Sequence, residues 1–536
     1  MKSLPAILLA CLLLVSCSTG KKEDSAIRID EFMTHLTAIS HDSTEGRGPG
    51  TRGYDRAAGY AVDLFKKWGL QPAGDNGSYY QQIQFTEATR DESSFSGSLN
   101  TTSGKIALDP ASNFTVRPLP LRAKTELKDV PIVFVGYGID APELGYNSYD
   151  GVDVKGKIVL NMAGAPDSFN NEAKAIYAFN KGGMAKAHGA IGTIQFFAPS
   201  RKQDFQFMRL NFMYSMMWSH PGGETSDNHP DLQLVARISD DLAFQLMSLA
   251  GIDITTLNDL LSDGQIIHAD IPARLTASVN YPQRKFSSPN LVAMLPGNDP
   301  ILKEEMIVMT AHLDHLGIRK IGQDSIYNGT LDNASGSAAL LTLAHRLSEE
   351  KSNSRTIVFV LLNGEELGLL GSDYFARYPS VPREKIVANL NMDGIEGMVL
   401  GSKEFIAYGY PYSNLASSVD AVMNRTGNKQ GDDPRLEEAF FVRSDQFSFV
   451  KQGIPAIWVV SGYAPVDSTK DAMAVHLLWD KERYHQPGDD LLQPIDKDGL
   501  LRELTVDYEL TKELANRMDK ISWVEGSYLH TKYVKK

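Results

Sequence analysis

The segment Thr356–Ser372, TIVFVLLNGEELGLLGS, decides the fold of this chain. Its first half is an almost unbroken apolar run, which is typical of a strand buried on both faces of a parallel sheet. The run is followed by Glu365 and Glu366, and carboxylates are rarely buried unless they are paired or bound to a metal. Acidic residues also favour the start of a helix, and the apolar LGLLGS that follows fits that interpretation. The segment predicts a buried strand with two acidic side chains at its end.

Apolar runs and helical patterns alternate through the C-terminal half of the chain. The segments are EEMIVMTAHLD (304–314), GSAALLTLAHRLSEE (336–350), KIVANLNMDG (385–394) and IPAIWVVSG (454–462). This alternation predicts an α/β fold with a mostly parallel central sheet covered by helices. A long amphipathic helix within residues 496–518 is expected to cover one face of the sheet.

Size and composition limit the classes of protein to consider. A chain of 536 residues is long enough for about two to four domains. Its composition, with 42% hydrophobic and 22% charged residues, is typical of a globular protein. The net charge is −13 and no long Lys/Arg block is present, which argues against nucleic acid as a partner.

The N-terminus, MKSLPAILLACLLLVSCSTGKKED, has the pattern of a secretory signal. Its residues 14–17 (LVSC) resemble a bacterial lipobox, so residues 1–17 are predicted as a lipoprotein signal peptide and 18–28 as a polar tether. Cys17 would then carry a membrane-anchoring lipid and place the protein in the bacterial cell envelope, at the outer membrane and either periplasmic or surface-exposed. A plain signal peptide with a chance Cys is the alternative.

Residues 121–285 have the pattern of a separate module, made of short β-rich runs divided by turns. YDGVDVKGKIVL (149–160) and AKAHGAIGTIQF (185–196) resemble the protease-associated domain, a small β-rich domain inserted in several secreted peptidases. Residues 29–120 and 286–536 are then expected to form the two parts of the main domain.

His, Asp and Glu residues stand at the predicted strand ends, where an open α/β sheet binds its ligands. They are His312, Asp314, Asp332, Glu365, Glu366, Asp393 and, in the irregular segment after the last strand, His485. Both cysteines, Cys11 and Cys17, lie in the leader, so a metal site in the body of the protein must use nitrogen and oxygen ligands. This set suits a pair of zinc ions that share a bridging carboxylate.

In this order the residues resemble the di-zinc aminopeptidases related to glutamate carboxypeptidase and the transferrin receptor. The resemblance covers residues 45–74, the insert and residues from 290 to about 492. It implies peptide substrates and two Zn²⁺ ions, with other divalent metals also accepted. The roles that it implies are His312 and Asp393 on the first zinc, Asp332 as the bridge, Glu366 and His485 on the second zinc, Glu365 as general base, and Asp314 holding the other ring nitrogen of His312.

Several alternatives remain open on the sequence. His315 and His476 compete as ligands, Asp489 and Asp490 are either a helix cap or a support for His485, and Gln446 stands where the family often has His. The loop GRGPGTRG (46–53), with Arg47 and Arg52, is either a plain glycine-rich turn or part of the site mouth. The alternative functions are a carboxypeptidase or glutaminyl cyclase of the same superfamily, or a receptor-like binding protein without metals. The oligomeric state is not predicted.

Overall fold

The structure is a computed structural model that describes residues 27–198, 205–226, 232–319 and 324–534. The predicted signal peptide and residues 18–26 of the tether lie outside the described residues. No helix among the described residues is long and apolar enough to cross a membrane.

The elements are numbered in chain order. The strands are β1 Gln71–Pro72, β2 Tyr80–Thr89, β3 Asp91–Thr101, β4 Gly104–Ala107, β5 Phe114–Val116, β6 Lys124–Phe134, β7 Asp140–Ala141, β8 Tyr146–Asn147, β9 Ile158–Met162, β10 Gly192–Phe196, β11 Tyr214–Ser219, β12 Leu234–Ile238, β13 Ala269–Asn280, β14 Gln283–Leu295, β15 Met306–His312, β16 Gly317–Ile318, β17 Ile326–Tyr327, β18 Thr356–Leu362, β19 Ile386–Asn391, β20 Glu404–Tyr408, β21 Lys429–Gln430 and β22 Ala456–Ser461. The helices are α1 Ile29–Ser40, α2 Arg52–Lys67, α3 Asn171–Phe179, α4 Lys181–Ala187, α5 Phe205–Asn211, α6 Asp240–Leu249, α7 Ile254–Ser262, α8 Gly336–Glu350, α9 Leu370–Arg377, α10 Leu415–Thr426, α11 Gln446–Val450, α12 Ala472–Glu482, α13 Lys497–Asn516 and α14 Tyr528–Tyr533.

The first sheet has ten strands, in the order β11-β2-β14-β18-β15-β19-β22-β20-β21, with β1 paired to β14. Its centre, β18-β15-β19-β22, is parallel. Antiparallel strands flank this centre on both sides, so the sheet is mixed rather than mostly parallel. The long β2 and β14 strands account for the difference, because they pair along nine residue positions in a part of the chain with little apolar signal.

Helices cover both faces of the first sheet, as the alternating pattern predicts. In β18, Ile357 and Phe359 pack with residues of α1, α2, α8, α10 and α13, whereas Val358 and Val360 pack with residues of α9 and α11 on the other face. Successive strand residues point to opposite faces, so β18 must be apolar throughout to fill both cores. All seven residues of β18 are buried.

The second sheet has eight strands in the order β4-β3-β13-β6-β9-β10-β12-β5. The predicted module 121–285 contributes most of it, but β3, β4 and β5, predicted within the main domain, also belong to this sheet. Strand β3 pairs with β13 at the far end of the module, and the sequence of a short polar strand does not identify so distant a partner. The assignment of this module as a protease-associated domain stays a prediction.

Strand β11 leaves the second module and pairs with β2 at the edge of the first sheet. Its Met216 and Trp218 are buried against Phe85 and Leu370 of the first module. The chain therefore crosses between the two sheets more often than a single insertion requires.

Candidate metal centre

The candidate centre lies at the carboxyl ends of the central parallel strands. His312 is the last residue of β15, Glu365 and Glu366 follow β18, and Asp393 follows β19. Because β15 is parallel to both β18 and β19, these ends meet at one edge of the sheet. The sequence prediction placed these residues at one rim, and the structure brings them together.

Asp332 enters the site from the segment between β17 and α8. The peptide bond between Asp332 and Asn333 is cis. The Asn333 side chain accepts hydrogen bonds from the main-chain N–H groups of Gly336 and Gly394 and donates one to the carbonyl of Met392. These bonds connect the Asp332 segment to the backbone on both sides of Asp393.

Two groups of side chains share Asp332. In the first group, the Nε2 atom of His312 lies 3.2 Å from Oδ1 of Asp393 and 3.4 Å from Oδ1 of Asp332. In the second, the Nε2 atom of His485 lies 3.1 Å from Oδ2 of Asp332 and 3.0 Å from Oε2 of Glu366. Asp332 thus presents one oxygen to each group, which is the arrangement of a bridging carboxylate.

These spacings fit zinc ions. Ligand atoms about 2.0–2.2 Å from one tetrahedral zinc lie about 3.3–3.6 Å apart, close to the distances in both groups. The donor set of imidazole nitrogen and carboxylate oxygen is also one that zinc accepts. His312, Asp332 and Asp393 would hold one ion, and Asp332, Glu366 and His485 the other.

The charges of the site also suit bound divalent cations. Burial disfavours the charged form of His485, but Glu366 and Asp332 outweigh it and raise the pKa of His485 to about 11. Burial raises the pKa of Glu365 well above its usual range, and the carboxylate of Asp393 adds to the shift. The site thus holds more carboxylates than cationic side chains, an imbalance that divalent cations neutralise.

Asp314 has a different role from the predicted one. The Nδ1 atom of His312 lies 3.1 Å from the main-chain oxygen of Asp314 and 3.9 Å from its carboxylate. The ring nitrogen is therefore held by a carbonyl. The buried carboxylate of Asp314 instead accepts a hydrogen bond of 3.3 Å from the main-chain N–H of Glu365, so it fixes the segment that carries the predicted base.

Of the two competing histidines, only His315 contacts the metal centre. The Nδ1 atom of His476 lies 3.0 Å from Glu396, away from both ligand groups, whereas that of His315 lies 2.5 Å from Oε1 of Glu366. Gln446 is buried, with its amide engaged by Asn391 and the carbonyl of Phe441, so its side chain serves the fold.

Arg47 and Asp489, whose roles the sequence leaves open, support the backbone of the site. Arg47 is fully buried and donates hydrogen bonds to the carbonyls of Leu313, Asn328 and Gly329, beside the segments that carry His312 and Asp332. The Asp489 carboxylate accepts the main-chain N–H groups of Leu331 and Asp332. It acts neither as a helix cap nor on His485.

Ser444 and Asp445 also lie at the site. Ser444 donates a hydrogen bond of 2.5 Å to Oδ2 of Asp393, leaving Oδ1 toward His312. Asp445 is buried with no well-aligned hydrogen bond to either carboxylate oxygen among the described residues, and burial raises its pKa to about 7 although Ser372 opposes the shift. In the sequence, these two residues directly precede Gln446, and that position is the feature that could have indicated them.

Two cavities open onto Glu365. The first, of about 390 Å³, is rich in apolar side chains from both modules: Pro118, Leu119, Pro120, Met216, Met217, Leu367, Leu370 and Phe447. The second, of about 360 Å³, contains Asp332, Asp393 and several further charged residues. Two of its cations are already paired, Arg435 with Asp480 at 2.6 Å and Arg443 with Glu438 at 2.7 Å.

Comparison with a family model gives a match in the C-terminal half. Residues 290–507 match the model of Peptidase family M28. Leucine aminopeptidase 2 of Trichophyton rubrum is 28% identical over 209 residues, which are 37% of this chain and 39% of that protein. Leucine aminopeptidase 1 of Trichophyton equinum is 28% identical over 204 residues, 36% of this chain and 53% of that protein. The chain thus aligns with about half or less of these relatives.

Among solved structures, an aminopeptidase from Aneurinibacillus sp. strain AM-1 superposes with a TM-score of 0.53 at 18% identity. The superposition covers 94% of this chain and 97% of that one. The likeness therefore extends over both sheets and shows a shared fold.

Proposed function

We propose, on the premise that residues 290–507 match the model of Peptidase family M28, that the protein is a zinc-dependent aminopeptidase that removes N-terminal residues from peptides. The observation that carries the proposal is the pair of ligand groups that share Asp332, one oxygen to each. A receptor-like binding protein would have no use for two complete sets of ligands at zinc spacing.

Glu365 has the position of the general base. It lies beside both groups, with Oε2 3.9 Å from the Nε2 atom of His312, and it lines both cavities. Bound zinc supplies an activated water and polarises the substrate carbonyl. Glu365 then accepts the proton of the attacking water and passes it to the leaving amine. Asp314 holds the main chain of Glu365 in place for this transfer.

The charges of the second cavity favour an aminopeptidase over a carboxypeptidase. A carboxypeptidase needs a cation for the substrate carboxylate, and Arg435 and Arg443 are each already bound to a carboxylate. Glu437 also lines this cavity and suits a protonated amino terminus. The apolar cavity in turn suits a substrate residue with a large apolar side chain.

The test is hydrolysis of a panel of aminoacyl-anilides by the mature protein, with zinc content measured in parallel. We expect leucyl- and phenylalanyl-anilides to be cleaved, a chelator to abolish cleavage, and added zinc to restore it. Glu365→Gln should lower kcat by about 10²–10⁴-fold while both zinc ions stay bound. Full activity of Glu365→Gln, chelator-insensitive cleavage, or cyclisation of N-terminal glutamine without cleavage would contradict the proposal.

We also propose that the protein is anchored by a lipid on Cys17 in the bacterial cell envelope. The lipobox-like LVSC at residues 14–17 is the support for this. Cys17→Ser in the full chain should move the protein from the membrane fraction to the aqueous phase on detergent partition. Unchanged partition would contradict the anchor and leave the proposed activity unaffected.

A further inference from the structure

His315 contacts the metal centre, and its ring lies close enough to Asp332 and Glu366 to compete with His485 as a ligand. We propose that His315 is a positioning residue, which holds one oxygen of Glu366 so that the other oxygen faces the second metal position. The inference rests on the proposed function, because it concerns a metal that this function requires.

The two oxygens of Glu366 have different neighbours. Oε1 lies 2.5 Å from Nδ1 of His315, whereas Oε2 lies 3.0 Å from Nε2 of His485. The spacing at Oε2 approaches that of two ligands on one tetrahedral zinc, about 3.3 Å. The spacing at Oε1 is too short for two ligands on one ion. It is closer to the distance of about 2.7–2.9 Å at which an imidazole N–H donates a hydrogen bond to a carboxylate.

The polar atoms on this side of Glu366 need a hydrogen-bond partner. Oε1 of Glu366 and both ring nitrogens of His315 are buried and have no aligned hydrogen bond within the described residues. Buried polar groups normally have a partner, and leaving one unpaired destabilises the protein. Donation from Nδ1 to Oε1 satisfies one atom of each residue at the contact that the structure already makes.

The surroundings of His315 fix its ring in this place. The main-chain N–H of His315 faces the carbonyl of Arg47 at 3.4 Å. Gly329 covers the ring so closely that a Cβ on Gly329 would lie 2.4 Å from Cγ of His315. Gly329 also has a φ of +56°, so both its conformation and the space admit glycine alone. A ring held this firmly is suited to orient a neighbour.

The experiment measures zinc affinity by equilibrium dialysis of the whole mature protein against zinc buffers. The variants are His315→Leu, Glu366→Gln and the two combined. We expect His315→Leu to weaken binding of one zinc by about 10–100-fold and to leave the other unchanged. Because His315 acts through Glu366, the combined variant should bind no more weakly than Glu366→Gln alone. Unchanged affinity in His315→Leu, or a further loss in the combined variant, would overturn the proposal, the latter in favour of His315 as a direct ligand.

His315→Gln gives a second test, which can be used even if His315→Leu folds poorly. An amide still donates to Oε1 but does not replace imidazole as a zinc ligand, so we expect affinity within about threefold of the wild-type value. A loss as large as that of His315→Leu would overturn the positioning role.

His476→Gln is the matched control, because His476 is also a buried imidazole beside a glutamate. It should bind two zinc ions as the wild type does. A wild-type protein that binds two zinc ions and cleaves no aminoacyl-anilide would refute the proposed function and leave the role of His315 standing. Binding of fewer than two ions by the wild type would overturn both.

Discussion

Arg47 and Arg52 stand five residues apart in the same glycine-rich loop, but only the side chain of Arg47 is buried. The guanidinium of Arg47 is buried against main-chain carbonyls, and burial lowers its pKa to about 10 although Asp489 and Asp314 oppose the shift. The side chain of Arg52 is 71% exposed and pairs with Glu45. The sequence alone does not separate the two, because the difference lies in carbonyls some 270 residues away in the chain.

Arg47→Met should therefore destabilise the protein strongly. It leaves the carbonyls of Leu313, Asn328 and Gly329 without their donor, and we expect a loss of about 3–5 kcal/mol in the free energy of unfolding. Urea unfolding of the zinc-free protein measures it. Arg52→Met is the control and should cost less than about 1 kcal/mol. Equal losses in the two variants would contradict the bracing role of Arg47.

At the scale of single elements, the helix α13 covers one face of the sheet, as the sequence predicts. It also buries two acidic side chains. Glu503 and Asp507 are buried on the face that packs against the core. Glu503 accepts the main-chain N–H groups of Gly397 and Ser461, whereas Oδ2 of Asp507 has no hydrogen-bond partner among the described residues. Burial raises the pKa of Glu503 to about 7, and the carboxylate of Glu396 adds to that shift. Burial also raises the pKa of Asp507 well above its usual range, and here the carboxylate of Glu503 adds to the shift.

This acidic pair should make the protein less stable as the pH rises. Both folded-state pKa values lie above the unfolded values of about 4, so the stabilisation is complete below pH 4 and is lost as the pH rises through about 7. Asp507→Asn removes one charge, and we expect it to unfold at higher urea than the wild type at pH 8, by at least about 1 kcal/mol, with a smaller difference at pH 5. Asp498→Asn, exposed at the start of the same helix, is the control. A difference that grows toward pH 5 would refute the assignment.

The ligands were predictable from the sequence because each one follows an apolar strand or a short motif, and parallel strands end at one edge. His312, Glu365 and Asp393 needed only this rule. This rule does not predict the roles of the acidic residues next to the ligands. Asp314 accepts a hydrogen bond from the main chain of Glu365, and Asp489 accepts one from the main chain of Asp332. Such contacts depend on loop conformations that the hydrophobic pattern does not encode. The same limit explains why the sequence does not place β3 to β5 in the second sheet.

At the scale of the whole molecule, the apolar cavity next to Glu365 has walls from both modules. Leu119 follows β5 of the second sheet, and Met216 lies in β11. The second module is therefore expected to take part in choosing the substrate's N-terminal residue, a role that the sequence did not assign to it.

Leu119→Ala should lower kcat/KM for leucyl-anilide by about tenfold relative to alanyl-anilide, because it removes apolar contacts that only the longer side chain makes. Steady-state kinetics with both substrates give this ratio. Ile301→Ala, at a site with a side chain 79% exposed, should leave the ratio unchanged. An unchanged ratio in Leu119→Ala would mean that this wall of the cavity does not contact the substrate.

Strand β11 has a consequence for how this protein can be divided. The family segment begins at residue 290, inside β14, and lacks β2 and the helices α1 and α2 that complete its core. Removing the second module would in turn strip β11 from the edge of β2 and expose a row of unpaired main-chain groups, a template for aggregation. Neither piece is expected to fold alone, so the boundaries of the family match and those of an autonomous folding unit do not coincide here.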